Sequence, residues 1–396
     1  MKNTTTRQPG LRTILLLSFF IVRATLSAQP YQIGHTTITF TDPDRNGRSI
    51  PTEVYYPATA AGTNVPVAAG EAFPVLSFGH GFVMTWEAYK NVWEAVVPEG
   101  FILAFPKTEG SFSPSHLDFG KDLGFVIAQI TVLGSDATSL FYQRVSDMSC
   151  VMGHSMGGGA SFLAAKHYPG ISALATLAPA ETSTSAIAAA VELTLPALVF
   201  AGSNDCVTPP AGHQIPLYNA LGSICKTYLS ITGGSHCQMA NSNIFCNIGE
   251  TSCTPPPAIT REKQHEVLWR YLLPWLKFQL KDDCAAGEML DSLIAQDADI
   301  TFERTCEYCS TTRAVSRPGR PIPSVYPNPF DETLNVMAPG NPPSEIILYD
   351  AAKRPVLQRA FTDSVTLDTR RFGSGVYFYE IKTREGVVGR GKVVKM

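Results

Sequence analysis

The sequence predicts an α/β protein, a mostly parallel sheet with helices on both faces, followed by a small all-β sandwich. Three observations carry that expectation. Short apolar runs alternate with helix-like stretches between residues 73 and 281, the pattern of strands buried on both faces. A glycine-flanked serine, Gly153-His154-Ser155-Met156-Gly157, joins one such run to the next helix. Beyond residue 322 every periodic segment reads as a short strand.

The chain has 396 residues, 44% hydrophobic and 16% charged, enough for two domains and a large core. A net charge of −3 gives no reason to expect nucleic acid or an anionic membrane as partner. Lys2, Arg7 and Arg12 precede an apolar run at 14–22 that is too short to span a bilayer. Small residues follow at 24–28, so residues 1–28 read as a signal peptide cleaved after Ala28. No second apolar run of spanning length follows. Nine cysteines agree with export to an oxidising compartment.

Strands are expected at 35–41 and 50–56, joined by a hairpin at Asn46-Gly47. Further strands are expected at 73–78, 101–105, 148–152, 171–177, 195–201 and 227–231. Helices are expected at 85–97, 121–132, 157–167, 211–221 and 261–281. Eight strands with an antiparallel first pair is the α/β-hydrolase layout, here over residues 29–310. Residues 311–322 are polar, basic and Pro/Gly-bearing, as linkers are. Residues 323–396 form the second domain, with strands at 333–337, 345–349, 364–367, 375–381 and 387–395.

A serine on a sharp strand-to-helix turn has an exposed Oγ, and the flanking glycines leave room where side chains would collide. The helix N-terminus beneath it adds partial positive charge where an oxyanion would form. Ser155 is therefore the candidate nucleophile. A serine needs a base, and the base an orienting carboxylate. Asp205 follows the strand at 195–201 and His236 the strand at 227–231, in the chain order this fold requires. Both belong to loops leaving the C-terminal ends of parallel strands, where crevice sites form. The oxyanion donors are expected to be the backbone N–H groups of Met156 and Phe82, the latter in Gly79-His80-Gly81-Phe82. His80 and His154 are expected to brace these loops. No cofactor or metal is implied. Cys306 and Cys309 form a single C-x-x-C without a second pair or a histidine cluster, so a disulfide role is expected.

Phe73 to His236 resembles the bacterial cutinases and poly(ethylene terephthalate) hydrolases, with their chlorophyllase-like relatives. Gly81-Phe82, Gly153-His154-Ser155-Met156-Gly157-Gly158-Gly159, Asn204-Asp205 and Gly233-Gly234-Ser235-His236 carry the likeness. The resemblance covers most of residues 32–284. It implies ester hydrolysis through an acyl-serine intermediate, with Ser155, Asp205 and His236 as the triad. Those polyester hydrolases carry a Trp after the strand ending near Leu177, where this chain reads Ala178-Pro179-Ala180-Glu181-Thr182. Weak action on aromatic polyester is therefore expected. The tail resembles the C-terminal sorting domain of type IX secretion. Tyr326-Pro327-Asn328-Pro329-Phe330, Gly375-Val376-Tyr377-Phe378-Tyr379 and Gly391-Lys392-Val393-Val394-Lys395 match it. That implies passage through a Gram-negative periplasm to the surface or medium, with the type IX machinery as partner. The rival reading is a substrate-binding β-module, for which Tyr377 and Tyr379 could equally be edge-strand packing.

The leading expectation is a secreted serine esterase on short-chain, aryl or polymeric esters. The same triad would serve an amidase or acyltransferase, and the non-enzymatic alternative is a silent binding protein. Only residues 178–194 separate two consecutive strands, too few for a helical cap. An open cleft is expected, with Phe82 and Trp86 as aromatic walls and Ala180 and Glu181 beside them. Cys206 and Cys237, each following a triad residue, are expected to pair, as are Cys246 and Cys253. Cys225, Cys284, Cys306 and Cys309 form the remaining set, leaving Cys150 as a buried free thiol.

Overall fold

The computed structural model describes residues 31–306, 308, 324–338, 343–350, 354–383 and 386–396. The expected signal peptide and linker lie outside the described residues. Two compact units result. The first ends at Leu273 and takes back Ala298–Thr305; the second comprises Pro274–Asp297 and the chain from Cys306 onward.

In chain order the first elements are β1 (Gln32–Asp42), β2 (Arg48–Ala58), β3 (Gly62–Thr63), β4 (Phe73–Gly79), α1 (Lys90–Val96), β5 (Ile102–Pro106), α2 (His116–Leu133), β6 (Val145–His154) and α3 (Met156–His167). Then come β7 (Ala173–Leu177), α4 (Ala186–Ala190), β8 (Ala197–Gly202), α5 (Gln214–Ala220), β9 (Lys226–Ile231), α6 (Ile244–Glu250), α7 (Arg261–Lys281), α8 (Cys284–Ile294) and β10 (Ile300–Arg304). One sheet takes the order β10-β9-β8-β7-β6-β4-β5-β2-β1-β3. From β9 to β5 all neighbours are parallel, and β2 and β10 add antiparallel strands at either side.

The sheet thus has ten strands, not the eight expected. β3 is a two-residue bridge parallel to β1. β10 offers only Ile300 and Phe302 as apolar residues and is drawn in by pairing with β9 from Thr227 to Ile231. α4, α6 and α8 are short helices that the apolar periodicity did not mark.

Every residue of β4, β5, β7 and β8 is buried, so these central strands are covered on both faces. Each fully buried Leu, Val or Phe there contributes about 1.5–3 kcal/mol. α2 presents Phe119, Leu123, Val126, Ile127 and Ile130 as one apolar stripe, and Ser115 caps it by accepting from Asp118 N–H. Asp122 is the charged residue on that stripe. It is satisfied by the Arg48 guanidinium at 2.9 and 2.6 Å and the Thr108 hydroxyl at 2.6 Å. The β1–β2 turn uses Asn46 and Gly47 at positive φ, 55° and 69°, as an Asn-Gly turn should. Among the described residues no helix is long and apolar enough to cross a membrane.

In the second unit α8 meets the end of α7 through Gly287 against Phe278, and Asp291 accepts from Tyr308 N–H. The tail adds β11 (Ser324–Tyr326), β12 (Thr333–Ala338), β13 (Ser344–Tyr349), β14 (Pro355–Phe361), β15 (Asp363–Asp368), β16 (Gly375–Thr383) and β17 (Gly386–Lys395). They form two antiparallel sheets, β11-β12-β15 and β14-β13-β16-β17. Phe330, Leu334, Val336, Ile346, Leu348 and Ile381 fill the space between them. β16 is interior rather than an edge. Tyr377 stacks on Phe372 with centroids 5.2 Å apart and meets Phe330 edge-on, so it is engaged in packing.

Candidate active site

The parallel strands deliver their C-terminal loops to one edge of the sheet. β6 ends at His154 and α3 begins at Met156, so Ser155 alone turns the chain, at φ 56° and ψ −121°. The turn is possible only between glycines. A Cβ on Gly153 would lie 2.3 Å from Gly157 O, and one on Gly157 would lie 2.1 Å from Gly79 O. Ser155 N–H donates to Leu177 O at 3.0 Å, and its carbonyl accepts from Gly159 and Ala180 N–H at 3.0 and 2.9 Å. Val83 (φ 55°) and Ala178 (φ 44°), in the loops after β4 and β7, are also held at positive φ. Strained backbone of this kind persists where surrounding contacts over-determine it, as at functional sites.

The loops after β8 and β9 meet at Asp205 and His236. His236 Nδ1 lies 2.8 Å from Asp205 Oδ2, with both side chains almost wholly buried. Asp205 Oδ1 accepts from the N–H groups of Val207 and Thr208 at 2.9 and 2.8 Å. Since a carboxylate accepts, Nδ1 carries the imidazole proton and Nε2 is left as the basic nitrogen. Gln264 on α7 exchanges two 2.8 Å hydrogen bonds with the backbone of Ser235, fixing the peptide before His236. The Arg261 guanidinium donates to Cys237 O and Ala240 O just beyond it.

Both bracing histidines are buried and hydrogen-bonded, as expected. His80 spans Gly81 O and Thr108 O, each at 2.9 Å. Gly81 N–H donates to the Tyr89 hydroxyl at 2.7 Å, and that hydroxyl lies 2.9 Å from His154 Nδ1. His154 Nε2 donates to His236 O at 3.1 Å. One chain of donors therefore links the loop after β4 to the loop bearing His236, and the His154 ring lies 4.6 Å from the His236 ring. Burial holds His154 well below the ordinary histidine value of 6.5, and lowers His80 as well. A depressed pKa means that these groups contribute stability above the unfolded value, lost as pH falls through the folded value. The melting temperature should therefore decline as pH is lowered from about 6.5. His154→Gln should flatten the upper part of that decline, and an equally steep decline in the variant would contradict this origin.

Among the described residues neither Phe82 N–H nor Met156 N–H finds an acceptor. Phe82 is 48% exposed and meets Phe112, 75% exposed, edge-to-face with centroids 6.2 Å apart. The Trp86 ring lies under Lys107 Nζ at 4.9 Å. Glu181 N–H donates to His213 Nδ1 at 3.0 Å, while the Glu181 carboxylate accepts from Ile187 N–H at 2.9 Å and caps α4.

The disulfides differ from expectation. Cys206 pairs with Cys253 and Cys237 with Cys246, with Cα atoms 5.4 and 5.6 Å apart. The two cysteines beside Asp205 and His236 are not joined to each other. Each is joined to the segment that contains α6, and Cys246 and Cys253 are held apart by that helix, at about 1.5 Å per residue. Cys225, Cys284 and Cys306 are also disulfide-bonded. Cys309 lies outside the described residues. Cys150 is the buried free thiol expected, its pKa raised by burial.

Sequence reading missed Tyr89, Thr208, Gln214 and Gln264. Gln264 had a signal, a polar residue one turn before Leu268 on the buried face of α7. The others are ordinary loop or helix-start residues until the fold brings them in.

Residues 24–254 match the family model described as PET hydrolase-like, and residues 324–395 match the secretion system C-terminal sorting domain. "Cutinase est1" of Thermobifida alba is 31% identical over 166 residues, 41% of this chain and 53% of that protein. "Cutinase 1" of Thermobifida cellulosilytica is 35% identical over 102 residues, 25% of this chain and 37% of that protein. The "bis(hydroxyethyl) terephthalate hydrolase" of Streptomyces coelicolor is 36% identical over 141 residues, 35% of this chain and 37% of that protein. The chain thus spans about a third to a half of these relatives' length. With more than half of its residues inside the family match, the chain belongs to the PET hydrolase-like family.

Proposed function

We propose that the protein is a serine carboxylic ester hydrolase working through an acyl-serine intermediate. The observation that carries this reading is the buried Asp205–His236 pair at 2.8 Å, on loops beside the Ser155 elbow. Ser155 Oγ attacks the ester carbonyl while His236 Nε2 takes its proton. Asp205 holds the imidazole and stabilises its charged form. Phe82 and Met156 N–H receive the oxyanion, with the start of α3 adding its dipole. His236 then protonates the departing alcohol, and a water activated by the same histidine releases the acid.

Relatives named as cutinases and as a bis(hydroxyethyl) terephthalate hydrolase favour ester chemistry over the amidase and acyltransferase alternatives. The five-residue α4 is the sole helix between β7 and β8, which supports an open cleft. Phe82 and Trp86 would line it, with Ala180 and Glu181 alongside. Short-chain, aryl and polymeric esters fit such a cleft, aromatic polyester weakly because no Trp follows β7. The matched sorting tail supports delivery to the cell surface or medium by the type IX machinery. The test is p-nitrophenyl butyrate hydrolysis beside the matching p-nitroanilide. Ester turnover far above anilide turnover is expected, with no jump in rate at the solubility limit of a long-chain triglyceride. Faster anilide cleavage would instead favour the amidase.

A further inference from the structure

Thr208 lies three residues beyond Asp205, in the loop after β8, and is 5% exposed. Its hydroxyl is 2.9 Å from Asp205 Oδ2 and 2.9 Å from His236 Nδ1, touching both members of the buried pair. Gln214, wholly buried at the start of α5, donates from Nε2 to Thr208 Oγ1 at 3.0 Å and to Pro179 O at 2.8 Å. Pro179 O can only accept, so the amide nitrogen must be the end of Gln214 that faces this site. Gln214 Oε1 is buried with no partner among the described residues. A buried acceptor left unpaired is costly, so the side chain is kept here for its donor end.

The proton positions follow. Gln214 fills a lone pair of Thr208 Oγ1. The single Thr208 hydroxyl proton then goes to the charged, nearer Asp205 Oδ2 at 2.9 Å rather than to Ala178 O at 3.3 Å. His236 Nδ1–H, already donating to Asp205, sees Thr208 Oγ1 as a second oxygen. One hydrogen bond leaves the imidazole free to rotate about that bond; two oxygens, both from the loop after β8, fix the ring plane. Asp205 in turn is held at Oδ1 by two backbone N–H groups and at Oδ2 by Thr208 and His236.

We infer that Thr208, oriented by Gln214, is a positioning residue that fixes the His236 ring and the Asp205 carboxylate in their reactive arrangement. This rests on the proposed roles of Ser155, Asp205 and His236. Loss of the hydroxyl should lower kcat and leave KM alone, because Thr208 acts on the base and not on the substrate.

The test is steady-state kinetics on p-nitrophenyl butyrate with the disulfide-intact protein, beside thermal melts. Thr208→Val should lower kcat about tenfold with KM unchanged within about twofold, and Thr208→Ser should recover kcat to within about threefold of the parent. Gln214→Leu should lower kcat severalfold, and adding it to Thr208→Val should cost little more, since the two act as a unit. If Thr208→Val does not fold, Gln214→Leu and Thr208→Ser decide. Parent-level kcat in Thr208→Val, or in Gln214→Leu, with Ser155→Ala inactive would overturn the inference and leave the triad standing. An active Ser155→Ala would remove the catalytic reading itself, and this inference with it.

Discussion

Ser155→Ala should lose on the order of 10⁴–10⁶-fold in kcat on p-nitrophenyl butyrate, since the attacking oxygen is gone and only binding and oxyanion stabilisation remain. The fold should be unaffected. Ser155 turns the chain through backbone hydrogen bonds to Leu177, Gly159 and Ala180, which alanine retains. Alanine adds no volume at the turn, and its melting temperature should stay within about 2 °C of the parent. Stopped assays with the folded variant check both halves. Residual activity above a few per cent would remove Ser155 from the reaction.

Gly157→Ala should damage activity strongly, though less than Ser155→Ala, and unlike Ser155→Ala should also destabilise the protein. The added Cβ would sit 2.1 Å from Gly79 O and 2.6 Å from His80 O. Both neighbours are backbone atoms, so no rotamer change relieves the clash and the loop carrying Phe82 must move. Displacing one oxyanion donor costs about 10²–10³-fold in rate. The overpacking adds about 1–3 kcal/mol of destabilisation. Gly110→Ala is the control, because nothing lies within 4 Å of a Cβ there. A Gly157→Ala protein with parent-level kcat and stability would show that the β4 loop and the elbow are not in contact as described.

The features legible in the sequence are those where the chain has few choices. Only glycine fits at 153 and 157, so the elbow announces itself. The buried central strands are predominantly apolar, and that pattern marks β4 through β9 to within a few residues. Asp205 and His236 could be placed because their strands could be. β10 was not legible, because two apolar residues among polar ones form a strand only when β9 offers an open edge. The disulfide partners were not legible either. Cys206 and Cys237 both follow parallel strands and lie at one end of the sheet, but their bonding depends on the path of residues 238–258. The unmarked helix α6 brings Cys246 to Cys237, while Cys253 beyond it reaches Cys206. Thr208 and Gln214 illustrate a third case. Nothing in their local sequence distinguishes them, and their meaning comes from a cluster of four loops and helix starts.

The central claim is that Ser155 carries the acyl group. The direct measurement is reaction with diethyl p-nitrophenyl phosphate, followed by intact-mass analysis and peptide mapping. Attack by Ser155 Oγ on phosphorus expels p-nitrophenolate and leaves a stable diethylphosphoryl serine. One adduct per chain, on the peptide containing Ser155, absent from Ser155→Ala and slowed in His236→Ala, is the predicted result. An adduct mapped to another residue, or undiminished labelling of Ser155→Ala, would contradict the account.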